Sequence, residues 1–301
     1  MMKLFKRSPM QHLLDTTDLS DKQIAQILED AKRFKQQRPG HLLCNKLLIT
    51  LFFENSTRTR SSFEVAAKRL GATVVHLDPS RSSTNKGETL EDTFANLCAM
   101  EPDGVIIRHS ENHTPRLLAD KKMTSVINAG AGNYAHPTQA LLDLFTVMEH
   151  FEGNVSGKTI AIVGDIVSSR VANSAIRLFT RMGMKVVLVA PQSFMPQSDL
   201  PQYEQLEEVI DKVDVIMSLR AQLERHATPL FDDYTIYAKH YCINKDRLGD
   251  RNIVVLHPGP VMRNIDISDE ILEDPRCKVL EQVKNGVYVR MAVLKLLLLD
   301  A

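Results

Sequence analysis

The sequence has no excess charge of either sign: 37 Lys and Arg stand against 37 Asp and Glu in 301 residues. A protein that coats nucleic acid or an anionic membrane through its overall field needs a surplus of cations, so that class is excluded. Cysteine is scarce and scattered, at Cys44, Cys98, Cys242 and Cys277, with no C-x-x-C pair. The spacing suits buried or half-buried thiols in a reducing cytosol. No apolar run is long enough to span a bilayer; MAVLKLLLL, near the end, is short, is interrupted by Lys295 and reads as a buried terminal helix. The basic N-terminus, MMKLFKRSPM, is followed by no apolar stretch, so no signal peptide is expected. Repeats and low-complexity linkers are lacking too. The expectation is a soluble, cytoplasmic protein. Its composition, 44% hydrophobic and 25% charged, is that of a globular chain, and the length fits two domains of about 150 residues.

What is present is an alternation. SDKQIAQILEDAKRFKQ places Ile24, Ile27, Leu28 and Phe34 on one helical face, with Ser20 or Asp18 as its cap. KLLITLFF is a continuous apolar run of the kind buried on both faces of a parallel sheet. SSFEVAAKRLG is a helix ending at Gly71; TVVHL and DGVIIR are strands, with TLEDTFANLCAM as the helix between them. A second series starts at Lys158: strand TIAIVGD, helix SRVANSAIRLFTRMG, strand MKVVLVAP, helix YEQLEEVIDKV, and strands DVIMSL and NIVVLHP. Between the two series lies HPTQALLDLFTVMEHF, a helix long enough to bridge two domains. The expected fold is α/β, with two domains, each a parallel sheet flanked by helices, joined by interdomain helices around a cleft. Residues 1–135 and a returning C-terminal helix, 287–301, would form one domain and 136–286 the other.

The densest chemical signal is Ser56-Thr57-Arg58-Thr59-Arg60, where an apolar strand ends and an amphipathic helix begins. Free backbone N–H groups and the positive end of the helix dipole make such a junction an anion site. Hydroxyls add donors, and the planar arginine fork can bond two phosphate oxygens. The plainer alternative is a serine that caps the helix beside solvent-facing arginines. Ala135-His136-Pro137-Thr138-Gln139 opens the bridging helix; His136 can donate to a carbonyl oxygen and Gln139 can accept from an amide nitrogen. A surface histidine before a Pro at the first helical position is the alternative there. Arg108, Arg170 and Arg220 follow strands, with Gln222 two residues beyond Arg220. In open α/β sheets, ligands bind outside the carboxyl ends of the strands. DPSRSSTNKGET adds Ser82, Ser83 and Lys86 in a polar loop.

Three apparent motifs fail on their context. GNVSGKT is one residue short of a P-loop and precedes its strand, whereas a phosphate loop follows one. HSENH has histidines four apart, but Glu111 is out of register for a zinc protease and Pro115 limits any helix there. The turn after TIAIVGD lacks G-x-G-x-x-G, which argues against a dinucleotide.

Ser-Thr-Arg-Thr-Arg, His-Pro-Thr-Gln and Leu-Arg-x-Gln, in this order and spacing, resemble the aspartate/ornithine carbamoyltransferases over essentially the whole chain. The loop SSTNKGET and the closing His257-Pro258-Gly259-Pro260 are similar to the aspartate branch; the ornithine branch carries His-Cys-Leu-Pro there. The resemblance implies transfer of the carbamoyl group of carbamoyl phosphate to the α-amine of L-aspartate, an early step of de novo pyrimidine biosynthesis. Alternatives are another amine acceptor, such as ornithine, or a non-catalytic anion-binding paralogue. By the same resemblance, Ser56, Thr57, Arg58 and Thr59 would hold the phosphate, with Arg108 reaching phosphate and carbonyl oxygen. Thr59 and His136 would face that carbonyl, while Gln139 and the Pro258 carbonyl would hold the carbamoyl nitrogen. Arg170, Arg220 and Gln222 would take the carboxylates of aspartate, with Lys86 and the loop at Gly259 and Pro260 completing the site. Ser82 and Lys86 would come from the neighbouring subunit of a homotrimer with shared active sites. No metal or organic cofactor is implied, and the resemblance admits a regulatory chain or a dihydroorotase-like protein as partner. One departure follows His-Pro-Gly-Pro: Val261-Met262-Arg263-Asn264 stands where many bacterial relatives have Val-Asn-Arg-Gly. The pocket so assembled is cationic, and its compensating acids are expected largely elsewhere.

Overall fold

The computed structural model describes residues 11–77, 88–222 and 234–299. They divide into two compact units, Met1–Leu141 with Asn285–Ala301, and Leu142–Lys284. In the first unit, β1 (Leu47–Phe52), β2 (Thr73–Leu77), β3 (Gly104–His109) and β4 (Ser125–Ala131) form a wholly parallel sheet in the order β2-β1-β3-β4. Helices α1 (Asp21–Gln36), α2 (Thr57–Arg69), α3 (Leu90–Cys98) and α4 (Thr114–Ala119) belong to it. Ile49, Leu51, Val105, Ile107 and Val126 meet Phe94, Leu97 and Leu118 in a closed core. Each fully buried aliphatic side chain there contributes about 1.5–3 kcal/mol. The outer edge of β4 is covered by the chain start: Leu13 N donates to Val126 O at 3.0 Å, and Asn128 N donates to Leu13 O at 2.8 Å. Helix α10 (Val279–Leu298) brings Lys295 Nζ to Asp30 at 2.9 Å and Arg290 Nη1 to Ser62 Oγ at 2.8 Å.

The second unit carries β5 (Thr159–Val163), β6 (Lys185–Val189), β7 (Gln202–Tyr203), β8 (Val215–Ser218) and β9 (Val254–Leu256), all parallel, in the order β7-β6-β5-β8-β9. Its helices are α6 (Arg170–Arg181), α7 (Tyr234–Tyr241), α8 (Lys245–Leu248) and α9 (Asp269–Leu272). Helix α5 (Pro137–His150) contains the Leu141/Leu142 division, and α10 contains the other. Both sheets are the parallel, helix-flanked α/β sheets that the alternation implies. In each, the order reverses beside a central strand, between β1 and β3 in one and between β5 and β8 in the other. Such a switch point opens a crevice at the strands' carboxyl ends.

Several elements depart from the sequence reading. YEQLEEVIDKV is not a helix: Gln202 and Tyr203 pair with Leu188 and Val189, and two 3₁₀ turns follow, Leu206–Glu208 and Ile210–Lys212. Val209, at φ −131° and ψ −10°, separates them. The apolar residues lie three apart, Leu206 with Val209 and Ile210 with Val213, and 3₁₀ geometry eclipses such pairs as well as an α-helix buries them. Helix α2 starts four residues earlier than its apolar stripe suggests, taking Thr57 to Arg60 into its first turn. Strand β4, absent from the sequence reading, is buried along its whole length. Its Ala, Gly and Asn content hides it from strand propensity. Strand β2 is an edge strand and largely exposed.

Candidate active site

In the first unit the switch point gathers the phosphate candidates. Ser56 sits at the N-cap position of α2 but makes no side-chain capping bond; its hydroxyl lies 3.4 Å from Arg108 Nη1. The caps of α1, α3 and α6 behave differently. Ser20, Thr89 and Ser169 all accept from backbone N–H groups of their own helices, at 3.3, 3.1 and 3.2 Å. Simple capping is therefore not what the Ser56 hydroxyl does. Thr57 and Arg58 are exposed on the first turn, and Thr59 is buried. Partial desolvation lowers the Arg58 pKa from its ordinary value while its side chain stays open to solvent. Arg60 leaves the group: its Nη1 lies 3.0 Å from His76 Nε2, and its Nε lies 3.7 Å from Glu64.

Arg108 pairs in register with Phe52 across β1, and the β3–β4 register shifts between Ile107 and His109. A bulge of this kind re-aims a side chain. Arg108 Nε donates to Glu54 at 3.0 Å, so one acid sits within the cationic group rather than elsewhere. Strand β4 delivers His136. Gly132 turns the chain at φ +45°, and a Cβ there would collide with Asn112 Oδ1. Asn128, 1% exposed, donates to the carbonyls of Leu14 at 2.8 Å and Ala135 at 3.2 Å, fixing the backbone just before His136. His136 Nε2 then lies 3.5 Å from Thr59 Oγ1, and the His136 carbonyl accepts from Gln139 N at 3.0 Å. Ser56–Thr59, Arg108, His136 and Gln139 thus belong to one neighbourhood. Ser82 and Lys86 lie outside the described residues.

The second unit places its candidates at three strand exits. Arg170 is the first residue of α6, beyond β5, and is 8% exposed. Gly164 precedes that turn at φ +115°, where a Cβ would meet the Tyr237 hydroxyl at 2.7 Å. Arg220 and Gln222 follow β8, and Pro258 to Pro260 follow β9. Asn264 adopts φ +61°, a left-handed conformation that asparagine tolerates better than most residues. Its Nδ2 donates to Asp269 at 2.8 Å, so the loop closes with asparagine at that position. Two participants escaped the sequence reading: Glu54 and Asn128. A polar residue inside an apolar run, as in SVINAGA, was the available signal for Asn128. Among the described residues, no group of three or more His, Cys, Asp or Glu side chains is placed to hold a metal ion, and no helix is long and apolar enough to cross a membrane.

Residues 11–149 match the family described as aspartate/ornithine carbamoyltransferase, carbamoyl-P binding domain, and residues 156–297 match its Asp/Orn binding domain. The chain is 81% identical over 292 residues to the aspartate carbamoyltransferase catalytic subunit of a Sulfurovum species, covering 97% of this chain and 99% of that one. It is 59% identical to the catalytic subunit of the same name from a Nitratiruptor species, covering 96% and 99%. Among solved structures it is similar to the catalytic subunit of M. jannaschii aspartate transcarbamoylase, at TM-score 0.86, 33% identity, and 97% and 99% coverage. It is also similar to the Trypanosoma cruzi enzyme in complex with carbamoyl phosphate and aspartate, at TM-score 0.85, 31% identity, and 94% and 95% coverage. The strand order, the seating of Ser-Thr-Arg-Thr-Arg on a helix start and these likenesses agree, and the chain belongs to the aspartate/ornithine carbamoyltransferase family.

Proposed function

We infer that this chain transfers the carbamoyl group of carbamoyl phosphate to the α-amine of L-aspartate, giving N-carbamoyl-L-aspartate and phosphate, an early step of de novo pyrimidine biosynthesis. The observation that carries the reading is the α2 N-terminus, where Ser56 turns from capping toward Arg108, one helical turn from the Thr59–His136 contact. The aspartate acceptor is supported by the relatives at 81% and 59% identity. Phosphate is taken by Ser56, Thr57, Arg58 and Thr59, helped by the first-turn amides and the helix dipole. Arg108, Thr59 and His136 donate to the carbamoyl oxygen, and Gln139 with the Pro258 carbonyl orients the nitrogen. Arg170, Arg220 and Gln222 receive the two carboxylates, beside Gly259 and Pro260. Lys86 and Ser82 act from a neighbouring subunit of a homotrimer.

In the reaction, the neutral amine attacks the carbamoyl carbon and a C–N bond forms. Negative charge grows on the carbonyl oxygen, where each preorganised donor is worth about 2–4 kcal/mol. The C–O bond to phosphate then breaks, and the departing phosphate takes the amine proton. Holding two anions in attack geometry contributes further, up to about 7–11 kcal/mol in ideal cases. A cytoplasmic setting suits the four free thiols. The test is an acceptor assay with carbamoyl phosphate and either aspartate or ornithine. Turnover is expected with aspartate alone. Turnover with ornithine instead would move the chain to the other branch. Binding of carbamoyl phosphate without product from any amine would make it an anion-binding paralogue.

A further inference from the structure

Asp266 belongs to neither acceptor loop of the second unit, yet it is bonded to both, and it is 1% exposed. Its Oδ1 accepts at 3.1 Å from the amide of Ala221, which stands between Arg220 and Gln222. Its Oδ2 accepts from Met262 N at 2.9 Å and lies 3.0 Å from His257 Nε2. The far side of that imidazole, Nδ1, accepts from Gly259 N at 2.8 Å. A ring nitrogen that accepts carries no hydrogen, so this bonding pattern assigns the ring proton to Nε2, which donates it to Asp266. The main chain is held as firmly: the Asp266 carbonyl accepts from Ser218 Oγ at 3.2 Å and from Ile243 N at 3.0 Å. His257 is tied from behind as well, its amide donating to Gln282 Oε1 at 2.9 Å.

A buried carboxylate is costly unless donors satisfy its lone pairs. Here all three donors come from the exits of two adjacent strands, β8 and β9. Those exits carry Arg220, Gln222, Pro258 and Gly259. A carboxylate with only a packing role could bond to any nearby amide; this one couples the two loops to which the acceptor is assigned. We propose that Asp266 is the positioning residue of the acceptor site, locking the Arg220–Gln222 loop to the Pro258–Met262 loop directly and through His257. It touches no substrate. The proposal rests on the assignment of the acceptor to these loops.

The test uses the full-length protein in three variants, with KM for each substrate, kcat and Tm measured. Asp266→Asn replaces one acceptor oxygen by a donor facing donors. It should raise KM for aspartate by about tenfold or more, since losing a buried charged acceptor is worth at least that factor. KM for carbamoyl phosphate should rise by a clearly smaller factor, because its phosphate candidates lie in the first unit and only the Pro258 carbonyl assigned to it belongs to a locked loop. His257→Gln can still donate to Asp266 but loses the bond from Gly259 N; it should shift the same constant in the same direction by a smaller factor. It decides the matter if Asp266→Asn does not fold. Arg220→Ala is the control. If it raises KM for aspartate while the other two variants leave it unchanged, the positioning role is refuted and the site assignment stands. If Arg220→Ala has no effect either, the site assignment fails with it. Equal loss for both substrates together with a lower Tm would reduce Asp266 to a packing residue and also overturn the proposal.

Discussion

Ser20 and Ser56 both stand at the residue before a helix, and the protein uses them in opposite ways. Ser20 accepts from Gln23 N and completes a capping box with the Gln23 side chain. The Ser56 hydroxyl lies beside the Arg108 guanidinium, while the amides of its helix have no side-chain cap. Capping residues satisfy the orphan donors of a first turn, so a helix whose cap turns away keeps those donors for another acceptor. Arg58 extends from that turn into solvent, and Arg60, two residues on, is tied to His76 and Glu64. The motif therefore leaves one arginine open to solvent and ties the other to the edge strand, a division that adjacent letters could not display. Replacing Arg58 with Ala should lower kcat by about 10²–10³, the usual cost of one lost transition-state donor. Tm should hardly move, because the side chain is exposed and packs little. Steady-state kinetics beside a thermal melt checks both, and near-normal turnover would remove Arg58 from the phosphate role.

At the scale of elements, the legible parts were those whose burial has a simple period. Helix α1 and strand β1 match their stripes because one face, or both, is buried along their lengths. Strand β4 was not legible, although it delivers His136. Its second half, Asn128-Ala129-Gly130-Ala131, has small or polar side chains, and it is a strand because β3 on one side and Leu13 on the other supply its hydrogen bonds. The two 3₁₀ turns after β7 were misread for the converse reason, since their apolar spacing fits either kind of helix. Gly132 sets the β4 exit. Gly132→Ala would press a Cβ against Asn112 Oδ1 and Ser110 O in a left-handed conformation. A cost on the order of 1–3 kcal/mol is expected from the conformation alone. Thermal unfolding should record a Tm lower by several degrees, at roughly 2–4 °C per kcal/mol for a chain of this size. KM for carbamoyl phosphate should rise as His136 loses its place opposite Thr59. An unchanged melt would show that the turn tolerates a side chain.

At the scale of the whole molecule, the charge balance of 37 against 37 describes the surface but not the site. Arg58, Arg108 and His136 collect in one unit, with Glu54 among them, and Arg170 and Arg220 stand at strand exits in the other. The oligomer is part of the proposed enzyme, because Lys86 is assigned to the neighbouring subunit. Lys86→Ala protein and His136→Ala protein should each be nearly inactive, and a mixture that exchanges subunits should regain activity by assembling some intact sites. Native mass measurement reports the hybrids; hybrids without activity would end the shared-site reading. Sequence alone determined the class, the parallel sheets and the residues able to bind anions, because apolar period and donor chemistry are local properties of the chain. Only the tertiary structure decided which arginine stays open to solvent and which is tied to a strand, that Glu54 joins Arg108, and that Asp266 ties two loops together. Those outcomes depend on partners 54 residues apart for Glu54 and Arg108 and 45 apart for Ala221 and Asp266. No local pattern encodes such pairings; they exist once strand order has brought the ends of β1 and β3, and of β8 and β9, side by side.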